Sequence, residues 1–265
     1  MVPKISVIMS VYNDEQYLSK SIESILNQSF SDFEFIICDD YSTDKSRDII
    51  EEYANQDDRI IFFRNEKNLG LATSLNKCIK HAKGKYIARM DSDDISLPNR
   101  FEVEYNYLEE NPDITVVGCK CHCIDENDKI YKEFQIHSGN VSFYDAIKKA
   151  QTIHPTTMMR KEALLSVDGY TVNSLTLRAE DYDLWCKMTK KGYKIFNLDT
   201  ILFLYREGLQ GMKKRKYKFR IQEAKLKYMW MKKEEVPFSI YLYAVKPLIV
   251  GLIPSSLMKI YKGVR

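Results

Sequence analysis

At 265 residues and 31.1 kDa the chain is long for one domain but inside the single-domain range of α/β proteins, which points to one main domain with an appendage. A hydrophobic fraction of 45% is ordinary for a globular protein and ample for a core, while a net charge of +3 selects no class of partner by itself. Its distribution says more: from Gly211 onward fourteen Lys and Arg face three Glu, a net of +11, which leaves about −8 for residues 1–210.

Ile5–Val11 is a β-branched apolar run and is expected to form a buried strand. Glu15–Asn27 carries Tyr17, Leu18, Ile22, Ile25 and Leu26 at helical spacing, and Phe33–Cys38 reads as a second strand. Ser42-Thr43-Asp44 signals a helix start, with Ile49, Ile50 and Tyr53 on the helix face. Arg59–Phe63 is a third strand, Leu71–Ala82 a third helix closed by Gly84 as its C′ residue, and Tyr86–Met90 a fourth strand. Alternating strands and helices predict a parallel, doubly wound sheet, whose ligands sit at the carboxyl ends of the strands. Tyr12-Asn13, Asp39-Asp40 and Asp91–Asp94 all fall at such ends.

The second half is less regular. Ile114–Cys123 and Lys129–Ile136 pair as strands around Asp125–Asp128, and helical patches follow at Tyr144–Ala150, Lys161–Val167 and Asp181–Lys191. Two strands are expected near Lys194–Asn197 and Ile201–Tyr205, then a long basic helix over Lys213–Lys233. Phe238–Ile253 is apolar but is interrupted by Lys246 and Pro247, and it is shorter than the roughly 20 residues of a membrane-spanning helix.

No signal peptide is expected, because Ile5–Val11 is too short and polar residues follow at once. The six cysteines are therefore expected to be free thiols. Cys119, Cys121 and Cys123 alternate along one strand face, a pattern of buried structural cysteine rather than of the C-x2-C pairs of zinc sites.

The chain has no glycine before Gly70, so neither a G-x-G-x-x-G dinucleotide loop nor a phosphate loop can occupy the first strand–helix turn. Any nucleotide there must be gripped by side chains: a ring such as Tyr12 against a base, a carboxylate such as Asp40 accepting from a ring N–H. If Asp91 and Asp93 continue the fourth strand, they point one way and Ser92 the other. Like charges so close need a neutralising partner, and carboxylates with water and phosphate oxygens suit Mg²⁺ or Mn²⁺. Asp-Ser-Asp-Asp is also good turn chemistry, so a solvated acidic turn is the competing explanation.

SVIMSVYN (6–13), ICDDYSTD (37–44), NLGLATSLN (68–76), ARMDSDD (88–94), HPTTMMR (154–160) and AEDYDLW (179–185) occur in an order that resembles the inverting family-2 glycosyltransferases of the GT-A fold, from about Lys4 to Tyr205. Each motif is weak alone; six in sequence are not. The resemblance implies a catalytic domain over 1–210, with a nucleotide-binding half to about 95 and an acceptor half beyond, and a basic helical tail over 211–265. It implies that Tyr12 and Asp40 contact the base of a nucleotide-sugar, a UDP-sugar by preference, and that Asp91 and Asp93 form the D-x-D pair, Asp91 nearer the ribose and Asp93 on Mn²⁺ or Mg²⁺. Asn68 and Arg89 lie where nucleotide contacts are expected, with a turn residue and a structural ion pair as their alternatives. Asp181 matches the family's catalytic base; Glu180 competes for that role or orients it.

Two departures stand out. Many members end the last strand in Tyr-Arg-x-His, where this chain has Tyr205-Arg206-Glu207-Gly208, and the Q-x-x-R-W motif of processive synthases is absent. A single sugar transfer in surface-glycan synthesis follows, to a glycan or polyprenyl-diphosphate-linked acceptor. Basic and aromatic residues beside an apolar segment fit an interfacial helix, so residues 213–260 are expected to meet an anionic membrane on the cytoplasmic face, with a plain structural appendage as the alternative and nucleic acid disfavoured for want of a recognition motif. A nucleotidyltransferase and a non-catalytic membrane scaffold are the rival functions.

Overall fold

The computed structural model describes residues 2–149, 151–207 and 217–252. Ala150, Gly208, Lys213–Lys216 and Ile253, each part of an expected element or motif, lie outside the described residues, as do the other residues of 208–216 and 253–265.

One ten-stranded sheet runs in the order β3-β2-β1-β4-β9-β6-β10-β5, with β7 against β6 and β8 against β10. The strands are β1 (Ile5–Val11), β2 (Phe33–Asp39), β3 (Ile60–Arg64), β4 (Tyr86–Met90), β5 (Ile95–Ser96), β6 (Ile114–Ile124), β7 (Ile130–Glu133), β8 (Gly139–Val141), β9 (Met158–Arg160) and β10 (Lys194–Arg206). β1, β2, β3 and β4 are mutually parallel, and β6 is parallel to β10. Because β9 is antiparallel to both β4 and β6, all six longer strands point the same way, and only strands of four residues or fewer oppose them. The expected mostly parallel, doubly wound sheet is therefore present, and its carboxyl ends share one edge.

Helices α1 (Leu18–Leu26), α2 (Ser46–Gln56) and α4 (Arg100–Glu110) cover one face, where Leu18, Ile22, Ile50 and Phe101 meet Val7, Met9 and Phe35. Helices α3 (Leu71–His81), α5 (Phe143–Lys148), α6 (Lys161–Ser166) and α7 (Glu180–Lys190) cover the other, where Leu75, Leu164 and Trp185 meet Ile8, Ile36 and Val116. The six cysteines are buried and free.

Four details differ from the sequence reading. Helices α1 and α2 start late because Glu15 and Ser42–Asp44 are used in loop hydrogen bonds. Gly84 does not terminate α3 in a left-handed conformation; a Cβ there would lie 2.6 Å from the Ser6 nitrogen, so the glycine lets the α3–β4 turn pass against β1. The two strands expected after Lys194 are one, with register shifts between Leu198 and Phe203 absorbing the polar Asp199-Thr200 pair. Finally, residues 91–94 are a turn rather than a strand continuation, so the alternation argument for Asp91 and Asp93 fails.

The tail helix Tyr217–Lys233 packs on the main body through a third apolar cluster, in which Leu226, Trp230 and Met231 meet Ile147, Tyr182 and Cys186. The Trp230 indole donates to Asp183 (2.8 Å), and Lys190 pairs with Glu234. Lys227 is turned inward, where burial pulls its proton affinity down and Glu223 opposes the effect. A second helix, Leu242–Gly251, follows a short turn and leaves Phe238, Leu242, Val245, Ile249 and Leu252 exposed.

Candidate active site

The strand ends open into a cavity of about 1120 Å³. Tyr12, Asp40, Asn68, Arg89, Asp91 and Asp181 all line it; of the expected site residues only Asp93 is outside the wall.

At one end, the glycine-free turn after β1 is held by side chains. Asn13, at φ 52°, receives the Thr43 N–H on its Oδ1 (2.8 Å) and donates its own N–H to Ser42 Oγ (3.0 Å), while the Asp14 N–H reaches Ser46 Oγ (2.9 Å). This leaves Tyr12 half exposed on the cavity wall. Asp40 is buried. Its Oδ1 accepts from Leu69 N–H (2.7 Å) and Asn65 Nδ2 (2.8 Å), and its Oδ2 from Gly70 N–H (2.8 Å). It thus pins the entry of α3, at Gly70 with φ +87°, and retains one acceptor position on Oδ2.

Four carboxylates crowd the tip of β4. Arg89, wholly buried, donates to Asp91 Oδ1, so the structural ion pair is present and Asp91 is neutralised from below. Ser21 Oγ holds the Asp91 carbonyl (2.8 Å), and Ser92 Oγ donates to Asp14 (2.6 Å). Asp94 is interior and accepts the Arg206 N–H (2.7 Å); burial, then Asp93 and Asp91, push its proton affinity well up. Burial, and after it the charges of Asp91 and Asp14, push Asp93 up to about 7. A carboxylate so penalised gains most from an added positive charge, and the hard oxygen donors here fit Mg²⁺ or Mn²⁺. Among the described residues no group of three His, Cys, Asp or Glu makes a metal cage, so a cation would need oxygens from its ligand as well.

The start of α7 also lines the cavity. Asp181 is half-buried and takes the Tyr182 N–H on Oδ1 (2.7 Å). Burial, reinforced by Asp181, raises its neighbour Glu180 to about 7. His154, also in the lining, bonds the Tyr170 hydroxyl through Nε2 (2.7 Å); burial, then Arg89, push its proton affinity well below the ordinary value. Burial raises the proton affinity of Tyr170, with Arg89 opposing and Glu180, Asp181 and Asp91 adding to the effect.

Sequence reasoning passed over three residues here. Arg206, noted only for the histidine missing two places on, is a buried hub that donates to the Asp93 carbonyl (2.7 Å), the Asp125 carbonyl (2.6 Å) and Asp128, with its guanidinium 4.1 Å from the Tyr17 ring centroid. Asp14 supports Ser92, and Asp183, inside AEDYDLW, is a latch for the tail rather than part of the cavity. Only the acidic character of the last two was visible beforehand.

The sequence profile of Glycosyl transferase family 2 matches residues 6–168. The chain is 38% identical to the "Putative glycosyltransferase EpsE" of Bacillus subtilis, over 98% of this chain and 93% of that one. It is 29% identical to the UDP-Glc:alpha-D-GlcNAc-diphosphoundecaprenol beta-1,3-glucosyltransferase WfaP of Escherichia coli, over 92% and 94%. Among solved structures, TarS 1–349 of S. aureus in complex with UDP-GlcNAc superposes with a TM-score of 0.68 at 22% identity, covering 94% of this chain and 71% of that one. The mannosyltransferase PcManGT of Pyrobaculum calidifontis, in complex with GDP-Man and Mn²⁺, does so at 0.62 and 17%, covering 99% and 80%. At these identities the two structures speak to the fold, which is GT-A-like.

Proposed function

The chain belongs to glycosyl transferase family 2 and is a glycosyltransferase, and from that premise we propose that it moves one sugar, with inversion, from a UDP-sugar to a glycan or a polyprenyl-diphosphate-linked acceptor in surface polysaccharide synthesis. The observation that carries this reading is the shared cavity, whose lining includes Asp40 and Asp91 together with Asp181. Asp181 takes the proton of the attacking hydroxyl, a role worth on the order of 10²–10⁴-fold in rate. Tyr12 packs against the base, Asp40 offers it the free position on Oδ2, and Asn68 faces the same ligand from the wall. Arg89 holds Asp91 toward the ribose rather than meeting the nucleotide itself. Asp93, with Asp91 beside it, would hold Mn²⁺ or Mg²⁺, whose chemistry is to offset charge on the leaving diphosphate. The donor preference draws on WfaP, named for UDP-glucose, and TarS, solved with UDP-GlcNAc; the lipid-linked acceptor draws on WfaP's name.

Residues 1–210 form the catalytic domain and 211–265 a tail that rests on the cytoplasmic membrane face. The exposed row Phe238, Leu242, Val245, Ile249 and Leu252, beside the basic residues, supports that placement. No helix among the described residues is long and apolar enough to cross a membrane.

The test is a thermal-shift and hydrolysis screen of nucleotide-sugars with Mn²⁺. UDP-sugars should give the largest shift, and Asp93→Ala should abolish hydrolysis. A larger shift with GDP- or dTDP-sugars and none with UDP contradicts the assignment of Tyr12 and Asp40. Transfer of nucleotide rather than sugar contradicts the reaction class.

A further inference from the structure

The cavity wall also holds a second chemical environment. Its residues include Lys149, Arg178 and Arg220 together with Val172, Leu177 and Val250. Three cations and apolar side chains, Val172 and Leu177 exposed, are what an amphiphile with an anionic head would meet; Arg178 precedes Asp181 at the entry of α7, whereas Tyr12 and Asp40 follow β1 and β2. Arg220, which lines the cavity, also pairs with Glu223 at 3.4 Å.

This environment is built rather than incidental. Arg178 adopts φ +64°, a conformation side-chain-bearing residues rarely take unless the surroundings impose it. The preceding loop imposes it: buried Thr176 donates to the Thr171 carbonyl (2.7 Å), Asn173 Oδ1 takes the N–H groups of Leu175 (2.8 Å) and Thr176 (3.0 Å), and the Ala179 N–H closes on the Thr176 carbonyl (2.9 Å). The Arg178 guanidinium lies over Phe219, 5.4 Å from the ring centroid and next in sequence to Arg220. On the tail, a Cβ on Gly251 would come within 2.9 Å of the Tyr217 ring and 3.1 Å of Arg220 Cγ, so the glycine lets the two tail helices close on Arg220 and fix its stem. Ile249 and Leu252, which flank the wall residues Val250 and Gly251, are 60% and 73% exposed and continue the apolar row of the tail.

We propose that Lys149, Arg178 and Arg220 form a subsite for the diphosphate of a lipid-linked acceptor, whose hydrocarbon leaves along Val250, Ile249 and Leu252. The proposal rests on the reading that Tyr12, Asp40 and the β4 tip, lining the same cavity, take the donor. It assigns the tail a place in the active site: Arg220 binds the acceptor's charge, and the apolar row meets the bilayer from which the acceptor comes. Arg guanidinium groups suit the task because their fork matches phosphate oxygens.

The test is calorimetric titration of the full chain with geranyl diphosphate, inorganic pyrophosphate and octyl glucoside, in EDTA so that no metal contributes. Geranyl diphosphate should bind most tightly, and Arg178→Gly and Arg220→Gln should each weaken it at least tenfold while octyl glucoside is indifferent to both. Arg178→Gly is the informative variant, because glycine accepts φ +64° freely and the protein should melt no lower than the parent. Unchanged geranyl diphosphate affinity in both variants, or none in the parent, overturns the subsite. Pyrophosphate binding as tightly as geranyl diphosphate overturns its assignment to a lipid. The titration needs neither donor nor turnover, so a chain that hydrolyses no nucleotide-sugar contradicts the preceding reading and leaves this result interpretable.

Discussion

Asp181 and Glu180 are adjacent carboxylates on one helix turn, and replacing each by its amide separates their roles. Glu180 keeps its proton to about 7 instead of the ordinary 4.5, through burial and then the charge of Asp181. At 1.36 kcal/mol per pH unit its ionised form is disfavoured by about 3 kcal/mol, which partial exposure trims to roughly 2–3 kcal/mol. The direction follows: between pH 4.5 and 7 the unfolded chain releases this proton while the folded chain keeps it, so folded stability falls as pH rises and levels off above 7. Glu180→Gln removes that loss. Melting curves of parent and variant should nearly coincide at pH 4.5 and separate in favour of the variant by roughly 5 °C at pH 8.5. Sugar transfer supplies the second readout. Asp181→Asn should cost 10²–10⁴-fold, about 3–5 kcal/mol of barrier, whereas Glu180→Gln should keep most of the rate and alter its profile near pH 7. Equal loss of transfer in both variants, or a melting gap that does not widen with pH, would refute the division of labour.

Other substitutions probe the supports. Trp230→Phe keeps the ring but strips buried Asp183 of its indole donor; urea denaturation should show a loss of about 1.5–3 kcal/mol with an unchanged slope. Gly84→Ala places a methyl against the backbone of Ser6 and Ile5, neither of which can yield, and the same assay should show a loss of about 1–3 kcal/mol or more. Arg206→Lys cannot serve the Asp93 carbonyl, the Asp125 carbonyl and Asp128 together; the KM for the nucleotide-sugar should rise roughly tenfold, about 1.4 kcal/mol, and unchanged kinetics would show that the turn at 91–94 holds without it.

The first half of the fold was legible because its strands are β-branched runs separated by helix-period segments and its strand ends carry the polar residues. The six motifs pointed to the cavity for the same reason: Tyr12, Asp40, Asn68, Arg89, Asp91 and Asp181 are local features of the chain, and they meet because the six longer strands share a direction. What stayed hidden depends on distant partners. Arg206 draws its importance from carbonyls 81 and 113 residues away, and nothing near Asp183 predicts that Trp230 will bond it. The geometry of residues 91–94 was misread because alternation holds only while a strand continues, and β4 stops at Met90. The tail was read from its charge; that Lys227 faces inward and Arg220 faces the cavity follows from packing, which composition does not encode.

The glycine-free turn after β1 has a consequence for how such a scaffold diversifies. A loop that grips through its peptide groups treats every phosphate alike and must change shape to change allegiance. Here the main chain is laced in place by Asn13, Ser42, Asp44 and Ser46, and what faces the cavity is the side chains of Tyr12 and Asp40, to which the proposed function gives the base. On that proposal a single codon would re-address the enzyme to another donor, while loss of any of the four lacing residues removes a bond that ties the two loops together.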